Sequence, residues 1–270
     1  MKHCLCLLFF GCFLSAAIYA QSPFEMISEQ RVDATRIVVD ELGNVYLISN
    51  TGIERRNAVG GGVFRTSDMQ WGEFHNVDVT DPLRPFIHFP AAGKVVFFDN
   101  TLSQQVSPID LYARGYDNAE FMCGSRGDGF WLWDARNSEI MRVDRNFNKL
   151  YSTGNLSILF KSPMQPLALM ERGQFLYLLN RDYRLFVFDM FGAWKRTLQL
   201  DGPSTFQVDG ERVIVFYETG SMQFIDTAGW VKQDIPLPGS VGAFFFRGSK
   251  LYWLNDAILR TFQFVENARN

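Results

Sequence analysis

Cysteine is scarce and poorly placed for crosslinking. The 270-residue chain has four, and Cys4, Cys6 and Cys12 all fall near its start, leaving Cys123 by itself. A disulfide-stapled scaffold is thereby excluded. Net positive charge is also lacking, because 26 Lys and Arg face 29 Asp and Glu. Without a positive field to displace counterions from phosphates, nucleic acid is not an expected partner. Beyond the first twenty residues no apolar run approaches the roughly 20 residues of a membrane-spanning helix. No helical periodicity longer than two turns appears either. What is abundant is apolar and aromatic surface: 47% hydrophobic residues, 15% aromatic, 26 Phe. That excludes intrinsic disorder and collagen-like repeats.

Residues 1–20 read as a secretory signal. Lys2 and His3 give a basic start, Cys4 to Phe13 an apolar run, and Ala16, Ala17 and Ala20 the small residues of a cleavage site. The run is about half a membrane span. A lipoprotein signal ending at Cys12 is disfavoured by Phe9-Phe10-Gly11 before it and by the apolar stretch from Phe13 to Ala20 after it. With the signal removed, Cys123 is a single thiol in Phe121-Met122-Cys123-Gly124, a setting for a buried, inert sulfur.

Residues 21–270 are organised by a repeat. A glycine precedes a near-continuous apolar strand six times: Gly43 before Val45–Ser49, Gly93 before Val95–Asp99, Gly129 before Phe130–Asp134, Gly173 before Leu176–Asn180, Gly210 before Val213–Tyr217 and Gly248 before Leu251–Asn255. The glycines are spaced by 50, 36, 44, 37 and 38 residues. Third strands follow, most clearly Ile140–Asp144, Leu185–Asp189 and Met222–Asp226. The next turns, Asp189 to Lys195 and Asp226 to Lys232, nearly superimpose, with Gly192 and Gly229 three residues after the Asp. Asp braces such a turn and Gly accepts positive φ. The third copy, Asp144 to Lys149, is read as one residue shorter.

A strand buried on both faces reads as a continuous apolar run. Each small sheet must therefore be covered on both sides by its like, which stacking around an axis achieves. Units of about 40 residues with four antiparallel strands make a β-propeller, and about 245 mature residues make six blades. The last repeat holds only three strands, Gly242 to Arg247, Leu251 to Leu254 and Ile258 to Phe264. The strand Phe24 to Gln30 is expected to supply the fourth and close the ring, sparing two exposed edges.

Over residues 24–264 the chain resembles the six-bladed propellers with NHL-like or YWTD-like repeats. The resemblance rests on Gly43-Asn44-Val45-Tyr46, on Asp189 with Gly192 and on Asp226 with Gly229. It implies blade geometry and an envelope setting, and no activity follows from it.

Chemistry of the known kinds finds little support. A zinc lyase in this fold needs three imidazoles, whereas the mature chain has His75 and His88. A lactonase-like axial metal needs oxygen ligands on the first strands. Those strands, read as Ile37–Asp40, Phe86–Phe89, Phe121–Gly124, Leu167–Met170, Phe206–Val208 and Ala243–Phe246, are mostly apolar. No Gly-x-Ser-x-Gly elbow, His-Glu-x-x-His helix or phosphate loop is present, and Gly60-Gly61-Gly62 is a flexible turn. Asp78 and Asp81 sit in a capped loop before Pro82 rather than at a calcium site. Asn155-Leu156-Ser157 is a glycosylation sequon only in a eukaryotic source. No catalytic residue, cofactor or metal ligand is assigned.

Strand parity puts the second-to-third loops on the same face as the connections between blades. The glycine and Asp-x-x-Gly turns fall on the other. The first face is expected to carry Asn50, Asn100, Arg136, Asn137, Arg181, Asp182, Tyr183, Glu218, Asn255 and Asp256, with Trp71, Arg84 and Lys161 from the connections. Loops on a rigid scaffold commonly bind, and Trp71, Arg84, Arg136, Arg181, Asp182, Tyr183, Glu218 and Asn255 are the candidate partner residues. The expectation is an exported, non-catalytic binding or assembly module of a bacterial envelope or periplasm, with another envelope or secreted protein as partner. The alternatives are a metal-dependent hydrolase or lactonase and a glycan binder using Trp194 and Trp230.

Overall fold

The computed structural model describes residues 22–67, 70–74, 77–125, 127, 129–210, 212–226 and 231–265. They form six four-stranded antiparallel sheets arranged in a ring, each built from strands consecutive in sequence except the last. Blade one is β2 (Arg36–Val39), β3 (Val45–Ile48), β4 (Ile53–Arg56) and β5 (Val63–Thr66). Blade two is β6 (Val77–Asp78), β7 (Phe86–Phe89), β8 (Lys94–Phe97) and β9 (Ile109–Asp110). Blade three is β10 (Ala119–Ser125), β11 (Gly129–Asp134), β12 (Glu139–Val143) and β13 (Lys149–Ser152). Blade four is β14 (Pro166–Arg172), β15 (Phe175–Asn180), β16 (Arg184–Asp189) and β17 (Trp194–Gln199). Blade five is β18 (Pro203–Asp209), β19 (Arg212–Tyr217), β20 (Ser221–Ile225) and β21 (Val231–Pro236). Blade six is β22 (Ala243–Arg247), β23 (Lys250–Asn255) and β24 (Ile258–Phe264), completed by β1 (Phe24–Arg31). The one α-helix among the described residues, α1 (Leu156–Leu159), lies between blades three and four.

The continuous apolar strands owe their composition to this ring. Successive side chains of a strand point to opposite sides, and here both sides are interior. In β11, Trp131 and Trp133 pack with Leu176, Leu178, Phe186 and Phe188 of blade four, while Phe130 and Leu132 pack with Phe86, Val95 and Phe97 of blade two. The same alternation builds an apolar cluster between every neighbouring pair of blades. Each such buried Leu, Ile or Phe contributes about 1.5–3 kcal/mol relative to exposure, so cohesion lies between the blades.

The ring closes as the strand count requires. β1 pairs antiparallel with β24 from Phe24 opposite Phe264 to Arg31 opposite Ile258, with an irregularity at Ile27. Phe24 is buried against Phe262 and Phe264, centroids 6.4 and 5.4 Å away, in the core shared with blade five.

Blade two departs from the expected repeat. Phe86–Phe89 is its second strand, not its first, and the run after Gly93 is its third. The first strand is only Val77–Asp78, and a proline-bearing loop rather than a glycine turn follows it. Gly93 instead turns β7 into β8 at φ 60°. The 50-residue interval between Gly43 and Gly93 is the trace of this one-strand slip. The turn at Asp144 also differs from expectation: it has the same length as that at Asp189, with Phe147 at φ 65° where the other has Gly192 at φ 79°.

Candidate partner-binding face

The two ends of the ring are built differently. On the end bearing the turns, four aspartates close the same five-residue loop. The Oδ1 atoms of Asp40, Asp99, Asp144 and Asp189 each accept from the backbone N–H groups two and four residues on, at 2.7–3.0 Å. The third residue after each, Gly43, Leu102, Phe147 or Gly192, takes positive φ. The Thr101 hydroxyl above all holds the Asp99 carboxyl below its usual range, and the Asn148 amide does the same for Asp144. Burial alone would raise Asp189, but Lys195 and the two N–H groups outweigh it and lower it. These carboxylates are consumed by their own turns.

Other polar groups on this end tie blades together. Asp78 accepts from Thr80 N and, across to blade three, from Gly124 N at 2.8 Å. Asp209 of blade five pairs with Arg247 of blade six at 2.8 Å, and Arg247 also donates to Val39 O of blade one. Asp81 accepts from Leu83 N. Both carboxylates of the Asp78 to Asp81 loop therefore serve backbone N–H groups, the role expected of a capped loop. An axial cavity of about 280 Å³ is lined mainly by apolar side chains, among them Val38, Val77, Phe121, Leu169 and Phe245. At its rim Arg172 of blade four reaches across to the Thr80 hydroxyl of blade two, 2.8 Å away. His88 is buried beside the cavity, while His75 lies outside the described residues. Burial and the charges of Asp78 and Glu171 push the Cys123 thiol well above its usual pKa, which suppresses the reactive thiolate.

The other end carries the second-to-third loops and the blade connections. Arg136 is exposed between β11 and β12, and Glu218 between β19 and β20. Asn255 ends β23 and is only partly exposed. Trp71 packs on the core of blades one and two, with Lys94 Nζ 5.5 Å from its ring centroid. Arg181, Asp182 and Tyr183 form the exposed tip between β15 and β16. Tyr183 is 42% exposed at φ 65°, and its N–H donates to Asn180 O. Asp182 braces this loop: burial would raise its pKa, but Arg184 at 2.5 Å and Asn180 at 2.9 Å outweigh that and lower it. Among the described residues the Arg181 and Tyr183 side chains thus have no hydrogen-bond or ion-pair partner, and Asp182 is structural.

Arg84 is a correction. The slip in blade two puts it in the β6–β7 loop, on the turn-bearing end, with its guanidinium 4.5 Å from the centroid of Phe97. Asn100 moves to that end for the same reason, and its carbonyl accepts from Arg55 at 2.7 Å. The remaining candidates share the loop-bearing end, but Arg136, Glu218 and Asn255 stand on separate blades, so only the Arg181 to Tyr183 tip groups them. Of the alternative aromatic pair, Trp194 is 49% exposed, rests edge-on to Phe160 at 5.7 Å and donates to Thr197. Trp230 lies outside the described residues.

Sequence reasoning missed the connection beside that tip. Asn155, noted only as a sequon, caps α1: its Oδ1 accepts from Ile158 N at 2.9 Å and its Nδ2 donates to Asn137 O. Ile158 and Leu159 are exposed at 76% and 55%. Leu156-Ser157-Ile158-Leu159-Phe160, apolar where a connection should be polar, was the available signal.

No protein-family model and no curated protein matches the chain. Among solved structures it is similar to a virginiamycin B lyase from Staphylococcus aureus, at 10% identity and TM-score 0.59 over 89% of this chain and 99% of that one. It is similar to the β-propeller domain of Cps50 (Swd1) from Myceliophteria thermophila, at 10% identity and TM-score 0.60 over 89% and 99%. A chain of the mitotic checkpoint complex gives 10% identity and TM-score 0.60 over 97% and 98%. Likenesses this distant in sequence concern architecture, and with the strand order they identify the chain as a six-bladed β-propeller closed by its N-terminal strand.

Proposed function

We propose that this propeller is a non-catalytic binding module that holds another protein on its loop-bearing end. The contrast between its two ends carries the reading. On one end four carboxylates are spent on backbone turns, whereas on the other Arg181 and Tyr183 project from a braced loop with no side-chain partner among the described residues. Arg and Tyr are side chains that dominate interface energetics.

The basic, apolar and small-residue sequence of residues 1–20 supports export, and with it a partner in the bacterial envelope or periplasm. Those residues lie outside the described ones.

The test is affinity capture from the native source with the wild-type protein and with Arg181→Ala/Tyr183→Ala. A central interface residue can contribute about 2 kcal/mol or more, whereas exposed substitutions usually alter folding by about 0.5 kcal/mol or less. The expected result is a stoichiometric protein partner retained at least about tenfold more weakly by the double variant, at unchanged melting temperature. The intact mass should correspond to a chain beginning near Gln21, without lipid at Cys12. Full retention by the double variant removes this loop from the interface, and acylated Cys12 overturns the cleaved, soluble form.

A further inference from the structure

We propose that α1 and the β15–β16 tip form one docking surface for a partner segment that combines acidic and bulky apolar side chains. This inference rests on the binding-module reading and names the chemistry of its partner.

Residues four apart share one side of a helical turn. Leu156 and Phe160 have that spacing, and both point inward: Leu156 is fully buried, and Phe160 lies 4.4 Å from Phe186, centroid to centroid. Ile158 and Leu159 must then face away, where an isolated connection would carry polar residues. Instead they present adjacent branched aliphatic side chains at 76% and 55% exposure.

The ridge is held rigidly. Asn155 caps it, Leu156 N donates to Ser138 O, and Met164 N donates to the Ser157 hydroxyl. The connection is also fastened to the β15–β16 tip. Gln165 N donates to Asn180 Oδ1 at 2.6 Å, Arg181 N donates to Gln165 O, and Arg184 donates to the Ser162 hydroxyl at 2.7 Å. Ile158, Leu159 and Lys161 therefore stand on a connection that shares its footing with Arg181 and Tyr183. Little conformational entropy would be lost on docking, which favours affinity.

Charge selects the occupant. The whole chain carries a net −3. Yet among the described residues no carboxylate lies within ion-pair distance of Lys161 or Arg181, and the nearby acid, Asp182, is already paired with Arg184. Exposed aliphatic side chains beside two uncompensated cations fit a segment with Asp or Glu interleaved among Leu, Phe or Trp. Such complementarity governs the encounter rate and the exclusion of wrong partners. An anionic lipid surface is a weaker fit, because electrostatic attachment to one takes a larger cluster of cations than these two.

The test pans a random peptide library on phage against the intact protein. The expected peptides are rich in acidic and bulky apolar residues. They should bind Ile158→Ser/Leu159→Ser and Lys161→Glu/Arg181→Glu at least about tenfold more weakly, a difference of about 1.4 kcal/mol. Both variants should melt with wild type, since the altered side chains are exposed. Overturning results are no enrichment, enriched peptides without acidic residues, binding to either variant as tight as to wild type, or tighter binding to phosphatidylglycerol vesicles than to any peptide. If the native partner is released by Arg181→Ala/Tyr183→Ala but kept by Ile158→Ser/Leu159→Ser and by Lys161→Glu, this inference fails while the module reading stands.

Discussion

Asp40 shows how much one turn residue can hold. It is fully buried, and its two oxygens accept from Leu42 N, Asn44 N, Asn44 Nδ2 and the Tyr46 hydroxyl, at 2.7–3.3 Å. Burial and the Asp40 charge together drive the Tyr46 hydroxyl pKa far above its usual value, so the hydroxyl stays protonated and donates. Removing a shared acceptor strands buried donors, each at about 1–3 kcal/mol. Asp40→Ala is therefore expected to lose about 3 kcal/mol or more in denaturant unfolding. Asp40→Asn, which keeps one carbonyl oxygen, should lose less, and an Asp40→Ala variant as stable as wild type would show that the carboxylate is not the organising group. The sequence motif at Gly43-Asn44 pointed to this turn. It gave no sign that the Arg55 guanidinium, donating to Tyr46 at 3.2 Å and to Asn100 O at 2.7 Å, links the same site to blade two.

The closing strand was legible as an element, because a count of three strands at the C-terminus left one position to fill from the N-terminus. Deleting residues 21–31 removes Phe24 from its aromatic cluster and exposes the edge of β24. Loss of one buried Phe alone costs about 3–5 kcal/mol, so the melting temperature should fall sharply in calorimetry. An unchanged melting curve would contradict the closure. Blade two was misread at this scale. A two-residue first strand has no periodicity to detect, and the apolar run Val95–Phe98 looks like any second strand. Arg84 was assigned to the wrong end as a result. α1 was missed for a related reason: a single turn, set between β13 and β14, is shorter than any window in which a 3.6-residue period can be seen.

Across the whole ring, the aspartate turns of blades two, three and four make stability sensitive to acid. Asp99, Asp144 and Asp189 are held below their usual pKa in the folded state. The unfolded chain, with these groups near about 3.9, then binds more protons than the native one. Stability from these turns is complete above that value and falls as pH drops through the native values. Thermal melts are expected to be level from neutrality to about pH 5 and to decline progressively below about pH 4. Replacing all three residues by Asn should flatten the acid limb, and an acid limb as steep as wild type would assign the sensitivity elsewhere. The sequence by itself determined the repeat, the all-β class, the blade count and the strand that closes the ring. Those follow from local pattern and from the need to cover both faces of each apolar sheet. Only the tertiary structure decided which loops share an end, that Asp182 braces while Arg181 and Tyr183 project, and that Ile158 and Leu159 stand beside them. Such neighbours come from different strands and blades, and their meeting depends on strand pairing that no local pattern records.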